Sequence, residues 1–259
     1  MTVEFNPNGY SIIGDIAGQY DTLITLLNKM PKGATPISLG DTIDRGPKSR
    51  QVLEFFAKNG LEIFSNHCHM MLDHLTNGGY YEPGLWLYYN GGVETMKSFG
   101  PEDSEDWDID WNDVDVDQSY IDYLKSLPLY LELEGNDRYP GGAFLSHAPR
   151  RPDVALSLVC ELGDGFWRPS GKFGNFNMDS TLIWNRGNPR EISGVFQIHG
   201  HNSSKKIGWY GGPEKPWGVN LDTSRAREPQ VLTGMHWPSM EVFQQEYILP
   251  PIKKDPTWE

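Results

Sequence analysis

Apolar residues along this chain gather in short runs that stop at polar side chains. Five of them read Ser11-Ile12-Ile13-Gly14-Asp15, Ile37-Ser38-Leu39-Gly40-Asp41, Leu61-Glu62-Ile63-Phe64-Ser65-Asn66-His67, Phe144-Leu145-Ser146-His147 and Phe196-Gln197-Ile198-His199-Gly200-His201. Short β-branched or aromatic stretches bounded by turn residues predict buried strands. Between the first three lie helical patterns. Leu23, Leu26, Leu27 and Met30 recur at helical spacing over Gln19 to Met30, and Val52, Leu53 and Phe56 do so over Lys48 to Lys58. Gly60 stands at the expected end of the second helix, and a third is expected from His69 to Leu75. Repeated strand–loop–helix units predict right-handed crossovers and a largely parallel sheet. Beyond Tyr130 the pattern shortens to strands at Leu129 to Leu133, Gly142 to Ser146, Gly194 to His199, Trp217 to Leu221 and Val231 to Met235. These suggest a second sheet packed on the first.

No linker, repeat or low-complexity tract divides the 259 residues, so one domain spanning 1–259 is expected. With 38% hydrophobic and 12% aromatic residues the chain can fill a core. No apolar run approaches a membrane span and no charged-then-apolar leader begins the chain, which predicts a soluble, cytoplasmic protein with no membrane partner. Cys68 and Cys160 make no disulfide framework. The net charge of −13 argues against nucleic acid as a partner. Much of it sits in the stretch 101–117, where Glu102, Asp103, Glu105, Asp106, Asp108, Asp110, Asp113, Asp115 and Asp117 occur with no Lys or Arg. Asp113, Asp115 and Asp117 alternate as in a calcium loop. However, Gln118 and Leu124 occupy the positions that need glycine and glutamate, so a solvated insertion is the better reading.

The chemistry lies at the strand ends. Asp15, Asp41, Asn66, His67, His147 and His201 each close one of the five runs, and open α/β sheets bind ligands beyond the carboxyl ends of their strands. Carboxylate, amide and imidazole together suit Mn, Fe or Zn. One such residue alone is an ordinary turn or cap; the set predicts a metal site, with room for two ions.

These residues resemble the phosphoprotein phosphatase family of metallophosphoesterases, in particular its bacterial and lambda-phage-type serine/threonine members. Gly14-Asp15-Ile16-Ala17-Gly18 corresponds to the motif Gly-Asp-x-His-Gly, and Gly40-Asp41-Thr42-Ile43-Asp44-Arg45-Gly46 to Gly-Asp-x-x-Asp-Arg-Gly. Ser65-Asn66-His67-Cys68 corresponds to Gly-Asn-His-Glu. Trp86 to Gly92, Ser146-His147-Ala148-Pro149, Trp184-Asn185-Arg186, Gly200-His201 and Asn220-Leu221-Asp222-Thr223 follow in order. The resemblance implies a four-layer αββα sandwich and two divalent metal ions, with Mn expected and Fe or Zn as alternatives. By the same resemblance Asp15 binds the first metal, Asp41 bridges both, and Asn66, His147 and His201 bind the second. His67, positioned by Asp44, protonates the leaving oxygen, while Arg45 and Arg186 clamp the phosphate. Such parts meet the needs of the reaction: bridged cations make a hydroxide available near neutral pH, a guanidinium fork matches phosphate, and an imidazolium assists a poor alkoxide leaving group.

Three positions depart from the pattern. Ala17 replaces the first motif's histidine, which leaves the first metal site weak. Cys68 replaces the third motif's glutamate, and Ser65 replaces its glycine, a poor exchange if that turn needs positive φ. Cys68 is expected to pack and His69 to begin a helix, with a compensating ligand role as the lesser reading. His199, inside a strand, is expected to be structural. The leading functional reading is a phosphomonoesterase acting on phosphoserine, phosphothreonine or phosphotyrosine in proteins. A dinucleoside polyphosphate hydrolase and a catalytically impaired phosphate-binding module, natural or engineered at Ala17, are the alternatives.

Overall fold

The computed structural model describes residues 1–77, 84–101, 114–151, 181–224 and 229–249. The first sheet contains β1 (Tyr10–Ile13), β2 (Thr35–Ser38) and β3 (Leu61–Glu62), which run parallel. The second contains β4 (Tyr130–Leu133), β5 (Ala143–Ser146), β6 (Phe196–His199), β7 (Gly208–Gly212) and β8 (Lys215–Asn220), in the order β4-β5-β6-β8-β7. β9 (Val231–Trp237) and β10 (Val242–Glu246) complete the first sheet, whose order is β10-β9-β1-β2-β3. Two mixed sheets flanked by helices form the expected α/β sandwich in one domain.

Apolar alternation explains how the layers join. Ile12, Ile37 and Leu39 from the first sheet and Leu145, Ile198 and Val219 from the second share one core, closed by Trp237 stacked on Phe196. The opposite face of the first sheet offers Ile13 and Leu232 to α1 (Tyr20–Lys29) and α2 (Ser49–Asn59), which bury Leu23, Leu26, Val52 and Phe56. Each such side chain contributes about 1.5–3 kcal/mol by leaving water. A further core lies among α2, α3 (Asn66–Asn77), α4 (Gly92–Phe99) and α5 (Gln118–Ser126), where Leu53, Phe64, Met71, Met96 and Leu124 meet. α1 and α2 occupy the spans predicted for them. Gly60 ends α2 in extended backbone rather than a left-handed cap, and its missing Cβ leaves room for Pro36 O, which would lie at 2.6 Å.

The structure corrects three expectations. Leu61–Glu62 is all of the third strand, so Asn66 and His67 lie in the first turn of α3 rather than at a strand end. Ser65 causes the change: its Oγ accepts from Cys68 N at 3.3 Å, a helix N-cap that ends the apolar run. Val231 to Met235 joins the first sheet by pairing antiparallel with β1. That pairing and β10 make the first sheet mixed rather than largely parallel.

Glu102 to Asp113 of the acidic stretch, together with Cys160, lie outside the described residues. At the end of that stretch Val116 is buried in the helical core, and Asp117 caps α5 by accepting from Ser119 N at 2.8 Å. Among the described residues no helix is long and apolar enough to cross a membrane.

Candidate metal centre

Asp15, Asp41, His147 and His201 stand within three residues of the ends of β1, β2, β5 and β6. The chain turns sharply there. Ala17, Asp41, Asp44, Arg45 and His201 all have φ between 47° and 75°, and Met240 is the sole other non-glycine residue with positive φ among those described. Such backbone persists only where the surroundings enforce it, and it concentrates at functional sites. Two glycines permit the approach. A Cβ on Gly40 would lie 2.7 Å from Ser65 Cβ, and one on Gly200 only 2.1 Å from Asp15 Oδ1.

Asp41, His147 and His201 each bring a ligand atom within 4.8 Å of the other two. His147 Nδ1 faces Leu39 O at 2.9 Å, so that nitrogen carries the proton and Nε2 keeps a lone pair. Burial holds His147 below its ordinary pKa, hence neutral near pH 7. Its Nε2 meets Asn66 Oδ1 at 2.7 Å and Asp41 Oδ1 at 3.3 Å. Three lone-pair atoms thus converge with no proton between them, an arrangement that a cation stabilises. His201 adds a fourth: burial, then His147, pushes it down to about 3, and its buried Nε2 has no hydrogen-bond partner. For Asp41 burial opposes ionisation, but His147, His67 and His201 outweigh it and hold the carboxyl well below its usual range. The donor set is therefore in its ligating form near neutrality, and the residues present fit a divalent ion.

His67 Nδ1 is hydrogen-bonded to Asp44 Oδ2, which leaves Nε2 facing the centre, 3.7 Å from Asp41 Oδ2 and 3.4 Å from Arg45 Nη2. Burial disfavours its charge, yet Asp41 and then Asp44 prevail and raise its pKa. Asp44 is itself fully buried. Trp86 Nε1 donates to its oxygens at 3.1 and 2.8 Å, and Thr95 Oγ1 donates to Oδ1 at 2.6 Å. Arg45 and Arg186 are both exposed at the rim, the latter 3.4 Å from His201 O. Arg150, another arginine near His147 in sequence, packs over the Phe144 ring.

The position expected for a first metal, around Asp15, is less complete as a donor set. Asp15 accepts from His201 N at 3.2 Å, and burial followed by Asp222 raises its pKa well above normal. The Ala17 methyl group offers no donor. Ser65 has ordinary φ, so glycine is not required there. Cys68 is fully buried and stands outside the cluster of ligand atoms. His69 belongs to α3, with its ring edge-on to Trp184. Both His199 nitrogens are engaged, by Gly200 O at 2.9 Å and Tyr210 OH at 3.1 Å, and burial pushes its pKa down to about 4. The sequence reading gave no role to Thr95, Asp222 or Glu62. Of these Glu62 left a signal as a lone acid inside an apolar run, and Asp222 left one within the stretch Asn220-Leu221-Asp222-Thr223.

Residues 11–225 match the family described as calcineurin-like phosphoesterase, and the chain belongs to it. It is 31% identical over 148 residues to a bis(5'-nucleosyl)-tetraphosphatase, PrpE, of Bacillus velezensis, covering 49% of this chain and 53% of that protein. It is 30% identical over 149 residues to serine/threonine-protein phosphatase 2 of Escherichia coli, covering 52% and 60%. The chain thus spans little more than half the length of these two curated relatives. A solved structure described as a putative diadenosine tetraphosphatase shares the fold with a TM-score of 0.58 and 16% identity, over 95% of this chain and 96% of the other.

Proposed function

We propose that this protein is a metal-dependent phosphoesterase that hydrolyses phosphomonoesters, with phosphoserine, phosphothreonine or phosphotyrosine in proteins as its substrate class. One observation carries the reading. The neutral His147 Nε2 points its lone pair at Asn66 Oδ1 and Asp41 Oδ1, beside the unpartnered Nε2 of His201. Asp41, Asn66, His147 and His201 would hold one divalent ion, Mn before Fe or Zn, and Asp41 would share a second, weaker one with Asp15. Bound there, the metals supply Lewis acidity and a hydroxide near neutral pH.

The chain's own residues do the rest. Arg45, beside His67, and Arg186, beside His201, orient the phosphate through charge-assisted hydrogen bonds. Asp44 holds the Nδ1 proton of His67 and favours the charged ring, so that Nε2 presents a proton to the departing alkoxide. Trp86 and Thr95 fix Asp44, and through it the direction of that proton.

A second reading, hydrolysis of dinucleoside polyphosphates, is favoured by the likeness to PrpE and by Tyr88 and Tyr89. These are exposed on the π-helical turn Leu85–Tyr89, close in sequence to Gly91, whose carbonyl accepts from Arg45 N. Trp86 is not available to stack on a base, because it is buried against Asp44. Turnover of a phosphopeptide and of diadenosine tetraphosphate, each with added Mn, separates the readings. Preference for the phosphopeptide supports the proposal and preference for the dinucleotide replaces it. No turnover of either, with Mn bound, leaves a phosphate-binding module.

A further inference from the structure

The third motif ends in Cys68, which brings no carboxylate to the first turn of α3. A carboxyl nevertheless lies beside it. Cys68 Sγ is 3.9 Å from Oε1 of Glu62, a β3 residue only 2% exposed. Thr42 Oγ1 donates to the same oxygen at 2.6 Å, and the Tyr123 hydroxyl of α5 donates to Oε2 at 2.8 Å. Among the described residues no cation pairs with it.

These partners are not scattered. Thr42 sits between Asp41 and Asp44 in the loop that also carries Arg45, and its carbonyl accepts from Gly18 N in the loop of Asp15. Cys68 directly follows His67. Glu62 therefore touches both halves of the centre, the loop of Asp41 and Asp44 on one side and the helix start of Asn66 and His67 on the other. A buried carboxyl is unfavourable unless its hydrogen bonds are met, and a leucine would fill the space without that cost. A tie between two catalytic segments is a task that a leucine could not perform.

We propose that Glu62 is a positioning residue of this centre, which through Thr42 and Cys68 holds the Asp41–Arg45 loop in register with the first turn of α3. The carboxyl comes from the strand rather than from position 68. The inference takes its meaning from the phosphoesterase reading above, but its test does not depend on that reading.

The test compares wild type with Glu62→Gln, Glu62→Ala, Cys68→Glu and the double variant Glu62→Ala/Cys68→Glu. Mn affinity is read by calorimetry and aryl phosphate turnover by assay. In the metal-free protein, ring NMR signals of His67 and His147 report register directly. Glu62→Gln keeps an acceptor for Thr42 and should stay within about threefold of wild type. Glu62→Ala should lose about 10–100-fold in Mn affinity, the range typical of groups that orient ligands, and should shift both ring signals. Cys68→Glu alone crowds two carboxyls into one place and should also lose affinity. The double variant, with one carboxyl again, should recover most of it and return the ring signals towards wild type. A Glu62→Ala protein with lower melting temperature but unchanged Mn affinity and ring signals would overturn the proposal, as would a double variant no better than Cys68→Glu. A wild type that neither binds Mn nor hydrolyses phosphate would overturn the phosphoesterase reading, while the ring signals would still decide the role of Glu62.

Discussion

Trp86 Nε1 donates to Asp44, 42 residues away, at 3.1 Å to one carboxylate oxygen and 2.8 Å to the other. The indole thereby fixes the carboxylate that holds His67. Trp86→Phe keeps the ring and removes the donor. It should lower kcat for a phosphoserine peptide about tenfold or more, within the 10²–10⁴-fold that a positioned acid contributes. KM should change little, since the proposed phosphate clamp is Arg45 and Arg186 rather than Trp86. A nitrophenyl phosphate, whose leaving group needs little protonation, should lose less. Equal losses on both substrates would mean that Trp86 acts on something other than the acid.

Ala17 has φ 50°, a left-handed conformation in which histidine is more common than most residues. Ala17→His should therefore fit without bending the loop and give the first metal a third ligand beside Asp15 and Asp41. The Mn concentration for half-maximal aryl phosphate turnover should fall. An unchanged requirement would show that the first site does not use this position.

Glu62 gives stability a pH dependence. Burial pushes its carboxyl up from 4.5 to about 7, against hydrogen bonds from Thr42, Tyr123 and Cys68 and with a small push from Asp41. The folded state thus holds this proton more tightly than the unfolded one. The contribution is complete below the ordinary carboxyl range and is lost as pH rises through about 7. By linkage the swing is on the order of 3 kcal/mol. The facing Tyr123 and Cys68 are raised away from this window and Asp41 is held below it. In metal-free melts the difference between Glu62→Gln and wild type should move in favour of the variant from pH 5 to pH 8. A constant difference would contradict the shift.

Most of the candidate cluster was legible because it follows local rules. Asp15, Asp41, His147 and His201 end strands, and strand ends are where such sheets bind ligands. The sequence places Asn66 and His67 at a strand end because Ile63 and Phe64 prolong the apolar run. The N-cap at Ser65, with its side chain three residues short of Cys68, was the signal that could have corrected this. The placement of β9 was not legible, since alternation predicts a strand but not which sheet it joins. Neither was the support of Asp44: Trp86 and Thr95 reach it across 42 and 51 residues, and no local pattern encodes such contacts.

Asp41 and His201 are proposed to bind a catalytic metal. Aryl phosphate turnover measured against Mn concentration, for wild type, Asp41→Asn and His201→Ala, tests it most directly. Saturating Mn dependence in wild type, with turnover abolished in both folded variants, is the expected result. Near-normal, Mn-independent turnover in either variant would contradict it.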